Sequence, residues 1–157
     1  MSRAIEYLDT EDLVGLARRL LGEAVPLRDI GLLGAVAARP QASAFGEDAY
    51  PGVWTKAAAL LQSIVKNRPL VDGNKRLGWL ATAVFLELND TSVAAVANDE
   101  VYALVIAVAS GTHSVDDIAD ALQLMLGRAA STGSVRDGRD PPKRASTLPP
   151  GRLRDIA

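Results

Sequence analysis

The stretch from Asn74 to Leu88 constrains the fold more than any other part of the chain. Leu77, Leu80, Ala81, Val84, Phe85 and Leu88 recur at the three-and-four spacing of one helix face, and Trp79, Ala83 and Leu86 make the other faces apolar too. A helix that is apolar all round must be covered on every side. The spacing therefore predicts a helix over 74–88 at the centre of a bundle, with the rest of the chain supplying its cover.

That cover is legible as further helices. Asp9 is placed to cap a helix whose Leu13, Leu16, Ala17, Leu20 and Leu21 share a face, and Gly22 ends it. Pro26 to Asp29 opens a second helix carrying Leu32, Leu33, Val36 and Ala37, which Pro40 stops. Residues Gln41 to Val53 are polar and punctuated by Gly and Pro, so they read as a loop long enough to be a candidate for function. Thr55 to Lys66 returns to helical spacing through Ala57, Leu60, Leu61, Ile64 and Val65. Beyond the central helix, Asn98 or Asp99 caps a helix displaying Val101, Leu104, Val105, Val108 and Ala109, closed by Gly111. Ser114 and Asp117 have capping-box spacing before Val115, Ile118, Ala119, Leu122, Met125 and Leu126. No strand alternation is visible, so the expected fold class is all-α, a compact bundle of six or seven helices around 74–88.

The loop feeding the central helix is chemically different from its surroundings. Asp72, Gly73, Asn74, Lys75 and Arg76 crowd a carboxylate, a glycine, an amide and two cations around a helix start. A helix start presents unpaired N–H groups and the positive end of the dipole, and a glycine there lets an anion approach the backbone. Two cations in the first turn oppose the dipole unless an anion answers them. A phosphate cradle beside a carboxylate able to share a magnesium ion is one reading. The other is that Asp72 caps the helix, Gly73 turns the chain, and Lys75 and Arg76 are solvated charges.

The residues NRPLVDGNKRLG, Asn67 to Gly78, resemble the signature of the Fic/Doc family, written roughly H-P-F-x-D/E-G-N-K/G-R, and Lys75 matches its Doc-toxin variant. YLDTEDLVGLARRLLG, RDIGLLGAVAARP, the FGEDAYP loop and AVASGTHSVDDIADAL resemble Doc toxins in the same order and spacing. The likeness runs from about Ile5 to Leu126. It implies a toxin of a Phd/Doc toxin-antitoxin system, a cytoplasmic protein kinase that uses ATP and Mg2+ to phosphorylate a threonine of elongation factor Tu and so halts translation. By resemblance, Asp72 holds the metal, Gly73 and Asn74 form the anion-binding turn, and Arg76 grips the phosphates. Lys75 fills space used by part of the triphosphate and so turns the γ-phosphate toward the target. In Fic proteins a flap near residues 41–53 aligns the target chain by strand-like pairing.

One position departs from the pattern. The family's motif opens with a histidine that takes the proton from the target hydroxyl, and Arg68 stands there. An arginine holds its proton and is no general base, so the resemblance implies an enzyme impaired as written. Leu70 for the commoner Phe is a milder exchange. Two alternatives stay open: a Fic-type AMP transferase, which Lys75 and Trp79 disfavour because that branch carries glycine and arginine there, and a non-catalytic module that captures its antitoxin. The partner implied is a Phd-type antitoxin whose C-terminal segment lies as a helix in a groove of the toxin.

Composition excludes other classes. The 157 residues suit one domain, 48% hydrophobic content supports a core, and 4% aromatic content makes that core aliphatic. There is no cysteine for disulfides or thiolate metal sites. Charged residues precede any apolar run at the N-terminus, no run approaches a membrane span, and a net charge of −2 gives no reason to expect direct nucleic-acid binding. His113, the one histidine, reads as a surface residue, and Trp54 and Trp79 read as packing. Residues 1–127 carry ten Lys and Arg against sixteen Asp and Glu, whereas 128–157 carry seven against three and are rich in Pro, Gly and Ser. We therefore expect a domain over 1–127 followed by a disordered basic tail over 128–157.

Overall fold

A computed structural model describes residues 3–134, with side chains through residue 127. Its helices are α1 (Thr10–Leu21), α2 (Ile30–Ala38), α3 (Gly52–Asn67), α4 (Asn74–Leu88), α5 (Asn98–Ala109) and α6 (Val115–Ser134), with a 3-10 turn at Arg39–Gln41. The expected all-α bundle is what forms. The expected tail lies, from residue 135 on, outside the described residues.

Local signals set most helix ends. The Asp9 side chain accepts from Asp12 N–H while the Asp12 carboxylate accepts from Asp9 N–H, a reciprocal cap at α1. Ser114 and Asp117 do the same at α6, 3.2 and 3.1 Å. Asp29 caps α2 through Gly31 and Leu32 N–H. At α5 the expectation fails: the capping position is Ala97, without a side-chain bond, and Asn98 and Asp99 lie inside the first turn. There Asp99 complements the dipole instead.

The centre is a pair of helices rather than one. Helix α4 packs on α3, α1 and α5, while α3 packs on α4, α6, α5, α2 and the 3-10 turn. Ten consecutive residues of α3, Lys56 to Val65, are buried. Small side chains permit this: Ala57, Ala58, Ala59 and Ser63 let neighbours close in on every side. Gly78 of α4 serves the same end, because a Cβ there would sit 2.9 Å from a Val65 methyl and 3.2 Å from a Leu61 methyl. Trp79, Phe85, Leu77 and Leu86 are fully enclosed, each contributing about 1.5–3 kcal/mol by leaving water.

The segment expected to be strandless contains a hairpin. β1 (Ser43–Ala44) pairs antiparallel with β2 (Glu47–Asp48), Ser43 opposite Asp48 and Ala44 opposite Glu47. Phe45 and Gly46 turn it with φ of 55° and 79°, the two left-handed residues of a tight hairpin turn. Both faces of the hairpin are exposed, so no apolar alternation marked it in the sequence. Two cations root it to the body. Lys56, 2% exposed, donates to the Asp48 carboxylate and the Pro40 carbonyl, each at 3.2 Å. Arg39 donates to the Tyr50 hydroxyl at 3.0 Å and to Gln62 and Ser63 of α3 at 2.8 and 3.2 Å.

Candidate functional site

Helix α3 ends at Asn67, and Arg68 takes the left-handed conformation (φ 52°, ψ 63°) that stops it, its N–H still donating to Ile64 at 3.1 Å. The next residues are stitched to the α1–α2 connection. Leu27 and Leu70 form a β-bridge, Arg28 N–H donates to Pro69 at 2.9 Å, and Val71 N–H donates to Pro26 at 2.7 Å. From the other side the Asn74 amide closes the loop, accepting from Leu70 N–H and donating to the Leu70 carbonyl, both at 2.9 Å. Leu70 itself is buried, an apolar anchor at the place expected.

Gly73 begins α4 with φ 89°. Glycine suits the left-handed conformation, and a Cβ there would also press on the Leu21 methyls of α1, 2.9 Å away, which would have to shift. No side chain caps α4, and its first backbone bond is Leu77 N–H to Gly73, so the N–H groups of Asn74, Lys75 and Arg76 have no partner within the helix. Beside them lies a cleft of about 230 Å³ lined by Val65, Arg68, Asp72, Gly73, Asn74, Lys75 and Ala109. Its wall thus combines unpaired amides, a positive helix end and two cations.

Five of the six residues singled out from the sequence, Arg68, Asp72, Gly73, Asn74 and Lys75, line that one cleft. Arg76 is half-buried, with a guanidinium nitrogen 3.5 Å from where a Gly73 Cβ would stand and a buried Nε that has no hydrogen-bond partner among the described residues. Among the described residues none of Arg68, Lys75 and Arg76 forms an ion pair, so no described carboxylate answers the positive charge at this helix start. The Asn74 side chain is spent on Leu70, so its backbone N–H is the polar group it leaves over at the helix start. Asp72 is exposed and keeps a free carboxylate.

The donor set also says what metal chemistry fits. Among the described residues no three His, Cys, Asp or Glu side chains gather into a metal-binding group. A lone carboxylate beside an anion cradle suits an ion that takes its remaining ligands from water and phosphate oxygens, which is the habit of magnesium.

Three residues here were not foreseen. Val65 and Ala109 give the cleft its apolar side, and their helical spacing marked them only as core. Arg28, seven residues past the end of α1 and exposed, donates through Nε to the Arg68 carbonyl at 2.7 Å and through a terminal nitrogen to the Asn67 carbonyl at 2.5 Å. Nothing in its local pattern announces a contact forty residues away. His113 stays apart, its ring on the Thr112 hydroxyl and its carbonyl accepting from Gln62. Trp79 is core, as expected; its indole N–H is buried without a partner among the described residues.

A family model described as the Fic/DOC family matches residues 7–86, from the start of the N-terminal segment to near the end of α4. A protein of Mycolicibacterium smegmatis named Toxin Doc is 52% identical to this chain over 90 residues, 57% of this chain and 69% of that protein. No described helix is long and apolar enough to cross a membrane.

Proposed function

This chain belongs to the Fic/DOC family, and from that premise we propose that it is a Doc-type toxin whose cleft binds ATP with magnesium and whose phosphoryl transfer is silenced by Arg68. The observation that carries the reading is the uncapped start of α4, with Gly73 left-handed against Leu21 and unanswered cations around it. Such a surface favours a polyanion. Phosphate oxygens would accept from the free N–H groups of α4, with Lys75 and Arg76 supplying charge. Asp72 would hold magnesium against those oxygens, and the ion would neutralise charge building on the transferred group.

Lys75 and Arg68 line the same cleft, and by the resemblance to Doc toxins the lysine would turn the terminal phosphoryl toward a target. A threonine hydroxyl of elongation factor Tu is the acceptor in this reading: its oxygen bonds to the γ-phosphorus as the bond to ADP breaks, and its proton must pass to a base at position 68. Arg68 offers no such acceptor. General-base catalysis contributes about a hundredfold to ten-thousandfold, so transfer by this chain is close to silent. The exposed 43–48 hairpin would present the target segment, and a Phd-type antitoxin would be the partner that holds the protein in check. Retained binding without transfer also fits a module that captures the antitoxin alone, and it is the arginine that favours this second reading.

The test is Arg68→His with ATP labelled separately at the α and γ positions and purified elongation factor Tu. Label from the γ position alone on the factor is the expected result. Label from the α position would move the chain to AMP transfer, and no label from either leaves the binding-module reading. Calorimetry should show MgATP binding that Asp72→Ala weakens; no binding to the intact chain would remove the cradle from consideration.

A further inference from the structure

We infer that Arg28 is the positioning residue that holds position 68 in its working conformation. The inference rests on the proposed function for its catalytic consequence and on geometry alone for its structural one. The Arg28 guanidinium donates to two consecutive carbonyls, that of Asn67, the last residue of α3, and that of Arg68, its C-cap. Those groups lie at the negative end of a helix and lack helical partners, so a forked cation across both is the interaction that end favours. Two bonds from one rigid plane fix the peptide on both sides of the Cα of residue 68. That residue is left-handed, a conformation an arginine adopts only under constraint.

The same residue is anchored through its backbone, Arg28 N–H donating to Pro69 at 2.9 Å, so residues 67, 68 and 69 all bond to Arg28. Position 68 lines the same cleft as Gly73, Asn74 and Lys75, and the direction of its side chain follows from the peptide planes that Arg28 clamps. The nucleotide cradle, by contrast, is set by Gly73 and Asn74, which Arg28 does not touch. Loss of the Arg28 side chain should therefore disorder position 68 and leave the anion site intact.

The experiment compares Arg28→Ala and Arg28→Lys in the Arg68→His chain. Because His113 is the one native histidine, the reversion adds a single imidazole signal to the NMR spectrum. With Arg28 present that signal should be sharp. Arg28→Ala should shift or broaden it while the His113 signal and the MgATP dissociation constant stay within about twofold. Arg28→Lys, which offers one donor point rather than a fork, should fall between. Where the revertant transfers phosphoryl, Arg28→Ala should lower kcat about ten- to a hundredfold with the KM for ATP unchanged, the size expected of a misaligned catalytic group. An unmoved, sharp imidazole signal with Arg28→Ala overturns the inference, whatever the activity. A revertant that transfers nothing overturns the proposed function instead, and the NMR comparison still decides the role of Arg28.

Discussion

Two irregular segments flank α3, and they are held by opposite means. The hairpin before it is held through side chains: Lys56 on Asp48, and Arg39 on Tyr50. The loop after it is held through its main chain, whose amides and carbonyls bond to residues 26–28 and to the Asn74 amide. In the hairpin, shape depends on a few side-chain identities. In the loop, the main chain around residue 68 is held from elsewhere, by Arg28 and Asn74, so its shape depends little on which side chain stands at 68. In the function proposed above, that is how a cleft would keep its binding geometry after exchanging the group that does its chemistry.

The strongest challenge to this contrast is Lys56→Ala. It removes a fully buried side chain and its carboxylate contact together, and should cost about 2–4 kcal/mol in urea unfolding. Lys56→Met separates the two effects. It refills the space, leaves Asp48 free to meet water, and should cost less than about 1.5 kcal/mol. The hairpin amides should nevertheless exchange faster. A hairpin equally protected in the Met variant would mean that Arg39 alone roots it.

Lys56 also shows where the sequence could and could not be read. Central α4 was legible because every face of it is apolar, and Leu77, Phe85 and Leu86 are all enclosed. The equally deep burial of α3 was hidden by Lys56, Gln62 and Ser63, polar residues that reach the interior because Asp48, Pro40 and Arg39 satisfy them. Pairings of that kind are set by tertiary approach and leave no periodic mark. At the site, the short range from Asp72 to Arg76 could be read because its chemistry is contiguous. The contribution of Arg28 could not, since forty residues of chain separate it from the carbonyl it binds.

On the loop side, Gly73→Ala should cost about 1–3 kcal/mol, from a left-handed alanine and from displacing Leu21. The same change should weaken MgATP, because the amides of α4 would be re-aimed. Asn74→Ala should cost about 1–3 kcal/mol by leaving the Leu70 N–H and carbonyl without partners. Thermal melts rank these directly against Lys56→Met. If Asn74→Ala proves neutral, the stitching to residues 26–28 carries the loop by itself.

The smallest effect has the most informative sign. If the conformation of residue 68 is imposed by its neighbours, its side chain contributes little to folding, and Arg68→His should change stability by less than about 0.5 kcal/mol, as exposed substitutions do. Arg68→Gly goes further. Glycine gives up more chain freedom on folding, which alone would destabilise, but it pays no steric cost at φ 52°. At a position held left-handed the second effect is the larger, so Arg68→Gly should stabilise by about 0.5–1 kcal/mol. Urea titration of the three chains with a shared slope reads both values. Destabilisation by glycine would mean that the arginine side chain itself supports the turn, and the loop would then be held by side chains just as the hairpin is.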